Sequence, residues 1–229
     1  YKDYAKELKK NALAKKPVAE KLNDFELGWR YQSDKVVLNV NGYYMGYQDQ
    51  LIPTGKLNET GYPIRENVGS SYRSGIEADA TVHLSTKWIW QPNVAFSKNI
   101  TKDYKTEKKK VITYWGDTQI SYSPSAVIGN TISFLPIKNF QASLISKYVG
   151  SQYIDNTQRE EAKLDAYFVN NLSLQYEWTP KHTFKSVLFS VIGNNILNAK
   201  YTPYGSNKYG ESYIPAAEAH YLAGITLSF

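Results

Sequence analysis

The last ten residues of the chain alternate between two classes of side chain, which is the pattern of a β-strand. One side of this strand carries Tyr221, Ala223, Ile225, Leu227 and Phe229, and the other carries His220, Leu222, Gly224, Thr226 and Ser228. A water-soluble sheet would place the apolar side on a core and continue. An outward apolar side opposite small or polar residues is instead typical of a strand that crosses a bilayer within a β-barrel.

Composition agrees with a membrane protein built from strands. The chain has 229 residues with 20 Tyr, 5 Trp and 8 Phe, no Cys and one Met. Apolar residues make up 42% of it, yet no window approaches the roughly 18 consecutive apolar residues that a transmembrane helix needs. Barrel strands have no such requirement, because only alternate residues face lipid.

The same alternation recurs along the chain and predicts nine strands. Its clearest case is Gly75–Leu84, where every even position is apolar and Glu77, Asp79, Thr81 and His83 are polar. Pro124 falls within the fifth strand and predicts a bulge there. The nine predicted strands are centred on Phe25–Tyr31, Val36–Tyr44, Gly75–Leu84, Trp88–Phe96, Ile120–Ile132, Phe140–Tyr148, Phe168–Trp178, Val187–Val191 and His220–Phe229.

The connections between these strands alternate in length. Short ones lie near residues 33, 86, 136 and 181, and long ones near residues 57, 104, 157 and 208. Long polar loops are predicted at Pro53–Pro63 and Lys98–Lys110. Aromatic residues gather beside the short connections and predict a membrane girdle: Tyr31, Trp88, Trp90, Phe134, Trp178 and Phe229. A β-sandwich has no reason to sort loops and aromatic residues together, so we expect an all-β, antiparallel, up-and-down transmembrane β-barrel in the outer membrane of a Gram-negative cell.

Nine is an odd number, whereas closed bacterial single-chain barrels usually have an even number of strands. Either one strand is merged or missed in this count, or the chain is part of a larger barrel. The chain also begins without an initiator Met. We therefore expect the C-terminal part of a larger barrel in residues 23–229, preceded by the remnant of an extracellular loop in residues 1–22.

Four segments carry a family resemblance: Asn67–Ala78, Lys147–Asn156, Lys163–Asn170 and Gly193–Tyr201. Together they resemble the C-terminal barrel of TonB-dependent outer-membrane receptors, in the variant found in Bacteroidota. The resemblance implies a 22-stranded barrel, plugged by an N-terminal domain, that takes up a scarce solute such as an iron siderophore, haem or cobalamin. It also implies energy supplied by the inner-membrane TonB complex, although the plug and the TonB box are absent from these residues.

The expected arrangement assigns roles to side chains on each surface. Candidates for contact with luminal water or the plug are Glu26, Arg30, Glu77, Asp79 and Gln175. Candidates for ligand contact in the extracellular loops are Tyr153, Asp155, Asn156, Tyr204 and Tyr209. The lysines between Lys102 and Lys110 could attract an anionic chelate or lipopolysaccharide phosphates, or only keep a loop solvated.

Other function classes have less support. The chain has three histidines, His83, His182 and His220, and lacks a Gly-x-Ser-x-Gly elbow, a His-x-x-x-His metal pair and a phosphate-binding glycine loop. We therefore predict no catalytic, metal or cofactor site and no nucleic-acid partner. A passive porin, or a structural barrel within a surface complex, remains an alternative to a transporter.

Overall fold

The structure is a computed structural model that describes residues 17–108, 110–180, 184–207, 210 and 212–229. Within these residues the chain forms one 3₁₀ turn, Glu160–Ala162, and sixteen strands. The strands are β1 Lys21–Gln32, β2 Val36–Gln48, β3 Leu51–Leu57, β4 Pro63–Asn67, β5 Ser70–His83, β6 Trp88–Lys108, β7 Val111–Gln119, β8 Ala126–Phe134, β9 Phe140–Val149, β10 Gln152–Tyr153, β11 Lys163–Leu164, β12 Tyr167–Trp178, β13 Ser186–Asn194, β14 Tyr204–Ser206, β15 Ser212–Ile214 and β16 His220–Ser228. The described part of the chain contains no helix with the length and apolar character needed to cross a bilayer.

Nine of the strands form one antiparallel meander. Their order is β1-β2-β5-β6-β8-β9-β12-β13-β16. In addition, β7 pairs with the C-terminal half of β6. Among the described residues, β1 and β16 each have a single partner, so the sheet is open at both edges. The predicted all-β, up-and-down architecture and its nine strands are confirmed, whereas closure into 22 strands stays a prediction.

The strand register separates apolar from polar side chains across the whole sheet. Facing residues of an antiparallel pair point to the same side, so each apolar residue continues a row. One row contains Leu27, Gly42, Ile76 and Phe96. We call this side the apolar face and the other side the polar face. Leu27 is 82% exposed and Ile76 is 58% exposed, because no other part of the described chain covers the apolar face.

The six aromatic residues of the predicted girdle lie on the apolar face near the short turns. Trp88 stacks on Phe134 with ring centroids 4.4 Å apart, and Phe229 packs against Phe184 at 5.2 Å. The indole N–H of Trp90 donates to Asn130 Oδ1 at 2.6 Å. A paired indole is compatible with a half-apolar environment, and contact with the membrane interface remains a prediction for these residues.

A glycine on the polar face allows two strands to pack closely. Gly75 pairs with Tyr43, whose ring lies over it. A Cβ at Gly75 would lie 2.5 Å from the carbonyl oxygen of Phe96 and 2.8 Å from the Tyr43 hydroxyl. Only glycine fits between these groups without a shift of the backbone.

The long connections fold over the polar face and form what we call the loop layer, residues 49–69, 118–125, 150–166 and 199–207. Ser71, on the polar face of β5, donates its hydroxyl to Gln50 Oε1 at 2.8 Å and is buried. The loop layer contains two small cores of its own. The first consists of Ile52, Val68, Tyr104 and Ile120, and the second of Ile154, Ala162 and Leu164. Buried apolar packing is thus concentrated at one end of the sheet, above the polar face.

Several predicted boundaries were wrong. Lys98–Lys110 is not a loop, because β6 continues to Lys108 and β7 returns beside it. Pro124 does not bulge a strand, since β8 begins at Ala126 and residues 120–125 belong to the loop layer. The stretch from Pro53 to Pro63 is largely the β3–β4 hairpin. The first strand begins at Lys21, four residues before its predicted start at Phe25. Residues 1–16 of the predicted loop remnant lie outside the described residues.

Candidate functional site

Four of the five predicted luminal residues gather on the polar face of β1, β2 and β5. Asn41 of β2 pairs with Glu77 and donates its amide to Glu26 Oε2 at 3.2 Å. One row further, Asn39 donates to Asp79 Oδ2 at 2.9 Å. The two asparagines therefore hold the carboxylates of Glu26 and Asp79, and with Glu77 in the register position facing Asn41 these form an acidic strip along the wall.

Arg30 lies beside this strip, since it pairs with Asn39 in the register of β1 and β2. A cavity of about 540 Å³ opens between Arg30, Asn39, Glu77 and Asp79. Gln175 lies apart on β12, where it pairs with Gln141 and Ser190. The structure thus brings Glu26, Arg30, Glu77 and Asp79 together and separates Gln175 from them.

Two of the predicted ligand contacts are buried inside the loop layer. Asp155 is 4% exposed and Asn156 is fully buried. The Asp155 carboxylate accepts from the backbone N–H and hydroxyl of Thr157, from Arg159 Nη2 at 3.2 Å, and from Asn207 Nδ2 at 2.9 Å. In this arrangement Asp155 joins two of the long connections, and ligand contact stays a prediction for it.

Asn156 joins two further parts of the loop layer. Its amide donates to the carbonyl oxygen of Pro53 at 2.8 Å, and its Oδ1 accepts from the backbone N–H of Ser121 at 2.8 Å. The Ser121 hydroxyl donates to the same Pro53 carbonyl at 3.1 Å. A fully buried amide with both ends paired fixes local geometry strongly. The β3–β4 hairpin is therefore held against two connections far from it in sequence.

At Gly55 the backbone of the β3–β4 hairpin lies very close to the neighbouring connection of the loop layer. Its φ is +79°, and a Cβ would lie 2.6 Å from the carbonyl oxygen of Ile154 and 2.9 Å from Asp155 Cβ. Its carbonyl oxygen accepts from the backbone N–H of Asn207 at 3.2 Å. A side chain at this position would separate the hairpin from both neighbours.

The predicted tyrosines lie at the surface of this layer. Tyr204 is half-buried and stacks on Tyr122 at 5.3 Å, and the Tyr122 hydroxyl donates to the carbonyl oxygen of Gly205. Tyr153 is half-buried, and its carbonyl oxygen accepts from the backbone N–H of Tyr122 at 2.9 Å. Burial and the neighbouring Tyr204 raise the pKa of Tyr122, so its phenol remains a neutral donor. Tyr209 lies outside the described residues.

Arg73 was missed by the sequence analysis. It lies on the polar face of β5, and its Nη1 donates to Asn99 Oδ1 at 3.2 Å and to Ser123 Oγ at 3.1 Å. Both acceptors are neutral, and the described residues place no carboxylate within ion-pair distance of it. A cavity of about 480 Å³ lies between Arg73, Tyr43 and Tyr122. Glu26 and Glu77 also line this cavity, so the polar wall beneath the loop layer presents one guanidinium and two carboxylates to a space of ligand size.

The described residues contain no group of three or more His, Cys, Asp or Glu side chains placed to hold a metal ion. The buried polar groups of the candidate site are mainly amides, hydroxyls and carbonyls, with the Asp155 carboxylate among them.

Comparison with known proteins agrees with this architecture. The family model for the β-barrel of TonB-dependent-receptor-like proteins matches residues 16–198. The pesticin receptor of Yersinia enterocolitica is 24% identical over 195 residues, and that of Yersinia pestis is 24% identical over 199 residues. Each alignment covers 84% of this chain and 26% of the relative. The chain thus spans about a quarter of the length of the curated relatives it matches.

Solved structures show the same fold. The ferric yersiniabactin uptake receptor FyuA from Yersinia pestis aligns with a TM-score of 0.67 at 20% identity, over 90% of this chain and 29% of that one. The copper transporter OprC aligns with a TM-score of 0.68 at 17% identity, over 93% and 32% of the two chains. These proteins are receptors or transporters by name and not enzymes.

The comparisons also indicate the cellular location. The related receptors are outer-membrane proteins of Gram-negative bacteria, which confirms the predicted location. The uncovered apolar face is the surface that such a location requires, because a barrel strand exposes alternate side chains to lipid. From the matched residues, the nine-stranded meander and its apolar face together, we conclude that this chain belongs to the TonB-dependent receptor β-barrel family.

Proposed function

We propose that this chain is the C-terminal barrel part of a TonB-dependent active transporter that takes up a scarce solute, with a ferric siderophore as the favoured class and haem or cobalamin as alternatives. The names of the related proteins support the class, since they include receptors for ferric yersiniabactin, ferric catecholates and enterobactin. Transport by such a receptor is binding followed by release, so we expect no catalytic activity in this chain.

The observation that carries the proposal is the loop layer. Three connections far apart in sequence interlock through Asn156, Pro53 and Gly55 above the polar face. A passive porin needs an unobstructed aqueous passage, whereas a packed layer over the wall favours a binding vestibule. A porin or structural barrel is therefore the less supported alternative.

The surroundings of Arg73 favour an anionic ligand. Its guanidinium bonds only to neutral acceptors and borders a cavity of about 480 Å³. A planar guanidinium can bind two oxygens of a carboxylate or catecholate at once. We propose Arg73, with the half-buried Tyr153 and Tyr204, as ligand-contact residues of the vestibule.

The acidic strip supports contact with a plug. Asn41 and Asn39 hold the carboxylates of Glu26 and Asp79 on the wall, and Glu77 lies in the register position facing Asn41. Fixed carboxylates suit pairing with basic groups of a domain that fills the lumen. The plug domain, the remaining strands and the TonB complex are the partners that we propose for the whole receptor.

Substitution of Arg73 tests the binding function. In the full-length receptor we expect Arg73→Gln to weaken binding of an anionic ferric siderophore about tenfold, because one charge-assisted contact is lost. Equilibrium titration of the purified receptor with the ferric siderophore measures the effect.

Lys138→Gln is the matched control, because Lys138 is exposed near a short turn, away from the loop layer, and the substitution also removes one positive charge. Equal weakening by the two variants would contradict the assignment of Arg73. Saturable uptake that persists without the TonB complex would contradict active transport and favour the porin. Absence of saturable binding of ferric siderophores, haem and cobalamin by the unmodified receptor would contradict the proposed ligand classes.

A further inference from the structure

The apolar face changes character at the end of the sheet that carries the long connections. Phe25, Tyr44, Ser74 and Lys98 form one row across β1, β2, β5 and β6. The next row toward the short turns contains Leu27 and Ile76, and it is apolar throughout. Lysines therefore begin where the apolar band ends, on the surface that faces lipid.

A groove of about 320 Å³ lies just beyond this border, and we call it the outer groove. It is lined by Lys21, Asn23, Tyr44, Gly46, Tyr72 and Lys102. Tyr44 and Tyr72 stack side by side with ring centroids 6.0 Å apart. Gly46 has no side chain to fill the groove, and a Cβ there would contact the Tyr44 ring at 3.4 Å. The named lining residues lie on four strands, β1, β2, β5 and β6, so the groove is shaped by the sheet and not by a loop.

The charge of the outer groove is mainly positive. Lys102 lies with its Nζ 5.7 Å above the Tyr72 ring and also pairs with Asp117. The hydrogen bond from Lys102 is the main cause of the lowered pKa of Asp117, and Lys98 contributes to it. Lys102 therefore forms the ion pair with this carboxylate, Lys98 lies near enough to act on it, and Lys21 also lines the groove. Asp103, beside Lys102, is the other nearby acid.

An exposed apolar stripe crosses the two rows just below the outer groove, with Phe25 in the nearer row and Phe96 in the next one. Phe25 is 69% exposed and Phe96 is 51% exposed, and both lie on the same face as Ile76. Positive charge directly above an exposed hydrocarbon-like surface suits an amphiphile with an anionic headgroup and acyl chains. The long-connection end is the extracellular end in this family, so the lipid leaflet at this height is the outer one.

We propose that the outer groove binds the phosphorylated headgroup of an outer-leaflet glycolipid, lipid A, with its acyl chains along the stripe of Phe25, Leu27 and Phe96. Lys21, Lys98 and Lys102 bind the phosphate oxygens, and the two tyrosines contact the sugar. The inference rests on the outer-membrane location and is independent of the transported solute.

The test uses the full-length receptor in nanodiscs and a triple variant, Lys21→Gln, Lys98→Gln and Lys102→Gln. Native mass spectrometry measures binding of bisphosphorylated lipid A, dephosphorylated lipid A and phosphatidylglycerol. We expect the triple variant to bind bisphosphorylated lipid A about tenfold more weakly. The matched control replaces Lys35, Lys87 and Lys138, which are exposed near the short turns, with Gln, and it should bind as the unmodified receptor does.

Each other outcome counts against the site. If both triple variants lost lipid A binding equally, the loss would follow from the lower net charge and not from a specific site. Equal binding of dephosphorylated lipid A would remove the role of the phosphate. Equal binding of phosphatidylglycerol, or displacement of lipid A by millimolar inorganic phosphate, would show a general anion site and overturn the assignment to a glycolipid.

Discussion

Replacement of Ile76 by Lys is expected to destabilise the assembled barrel by about 2–4 kcal/mol, the cost of a lysine in the middle of the lipid-facing surface. Ile76 is 58% exposed on the apolar face and lies midway along β5, between Gly42 and Phe96 of the neighbouring strands. Lipid cannot solvate the ammonium group there. Urea unfolding of the full-length receptor in lipid vesicles measures the change, with the heat-resistant folded band on gels as a second readout.

Asn41→Lys is the control for this prediction. It adds the same single charge one register position from Ile76, but on the polar face, next to Glu26 and Glu77. A lysine at Asn41 has water and two carboxylates as partners, so we expect a change of no more than about 1 kcal/mol. Similar losses for both variants would mean that the two faces do not differ in environment.

Replacement of Gly55 by Ala is expected to open the loop layer. The positive φ alone costs about 1 kcal/mol for a residue with a Cβ. The new methyl group would also lie 2.6 Å from the Ile154 carbonyl oxygen and 2.9 Å from Asp155 Cβ, and relief of such overlap costs a further 1–3 kcal/mol or so. Hydrogen exchange in residues 51–57 and 152–164 should accelerate by about tenfold or more.

Gly61→Ala separates the two contributions. Gly61 lies in the same hairpin at φ +87°, and no atom of the described residues lies within 4 Å of the position that a methyl group would take there. Gly61→Ala therefore has the free-energy cost of the positive φ without the steric overlap. Hydrogen exchange in residues 152–164 should stay at the rate of the unmodified receptor. If Gly61→Ala accelerated that segment as much as Gly55→Ala, the close approach at Gly55 would not be what holds the layer together.

The membrane-crossing strands could be predicted from the sequence because each has lipid on one side and water on the other. That difference forces alternation, which is why the predictions for Gly75–Leu84 and His220–Phe229 agree with the structure. The β6–β7 hairpin extends beyond the sheet's apolar rows and shows no such contrast. Its lysines are compatible with a strand or a loop, so the pattern of Lys98–Lys110 could not distinguish the two.

The loop layer could not be predicted, for a different reason. Its contacts join residues far apart in the chain, such as Asn156 and Pro53, 103 positions apart. Polar loop residues have the same local pattern whether they face water or pair with a distant carbonyl group. The burial of Asp155 and Asn156 follows only from where the other loops lie. Arg73 gave no signal because an arginine on a polar face is ordinary until its neutral partners are known.

The segregation of the two faces is tested most directly by spin labels along β5. The chain has no native Cys, so single Cys residues can be introduced at positions 76 to 81 of the full-length receptor and labelled in lipid. The measurement is the ratio of collisions with dissolved oxygen to collisions with an aqueous nickel chelate. We predict high ratios at Ile76, Ala78 and Ala80 and low ratios at Glu77, Asp79 and Thr81. A ratio that does not alternate, or that alternates in the opposite phase, would contradict the account.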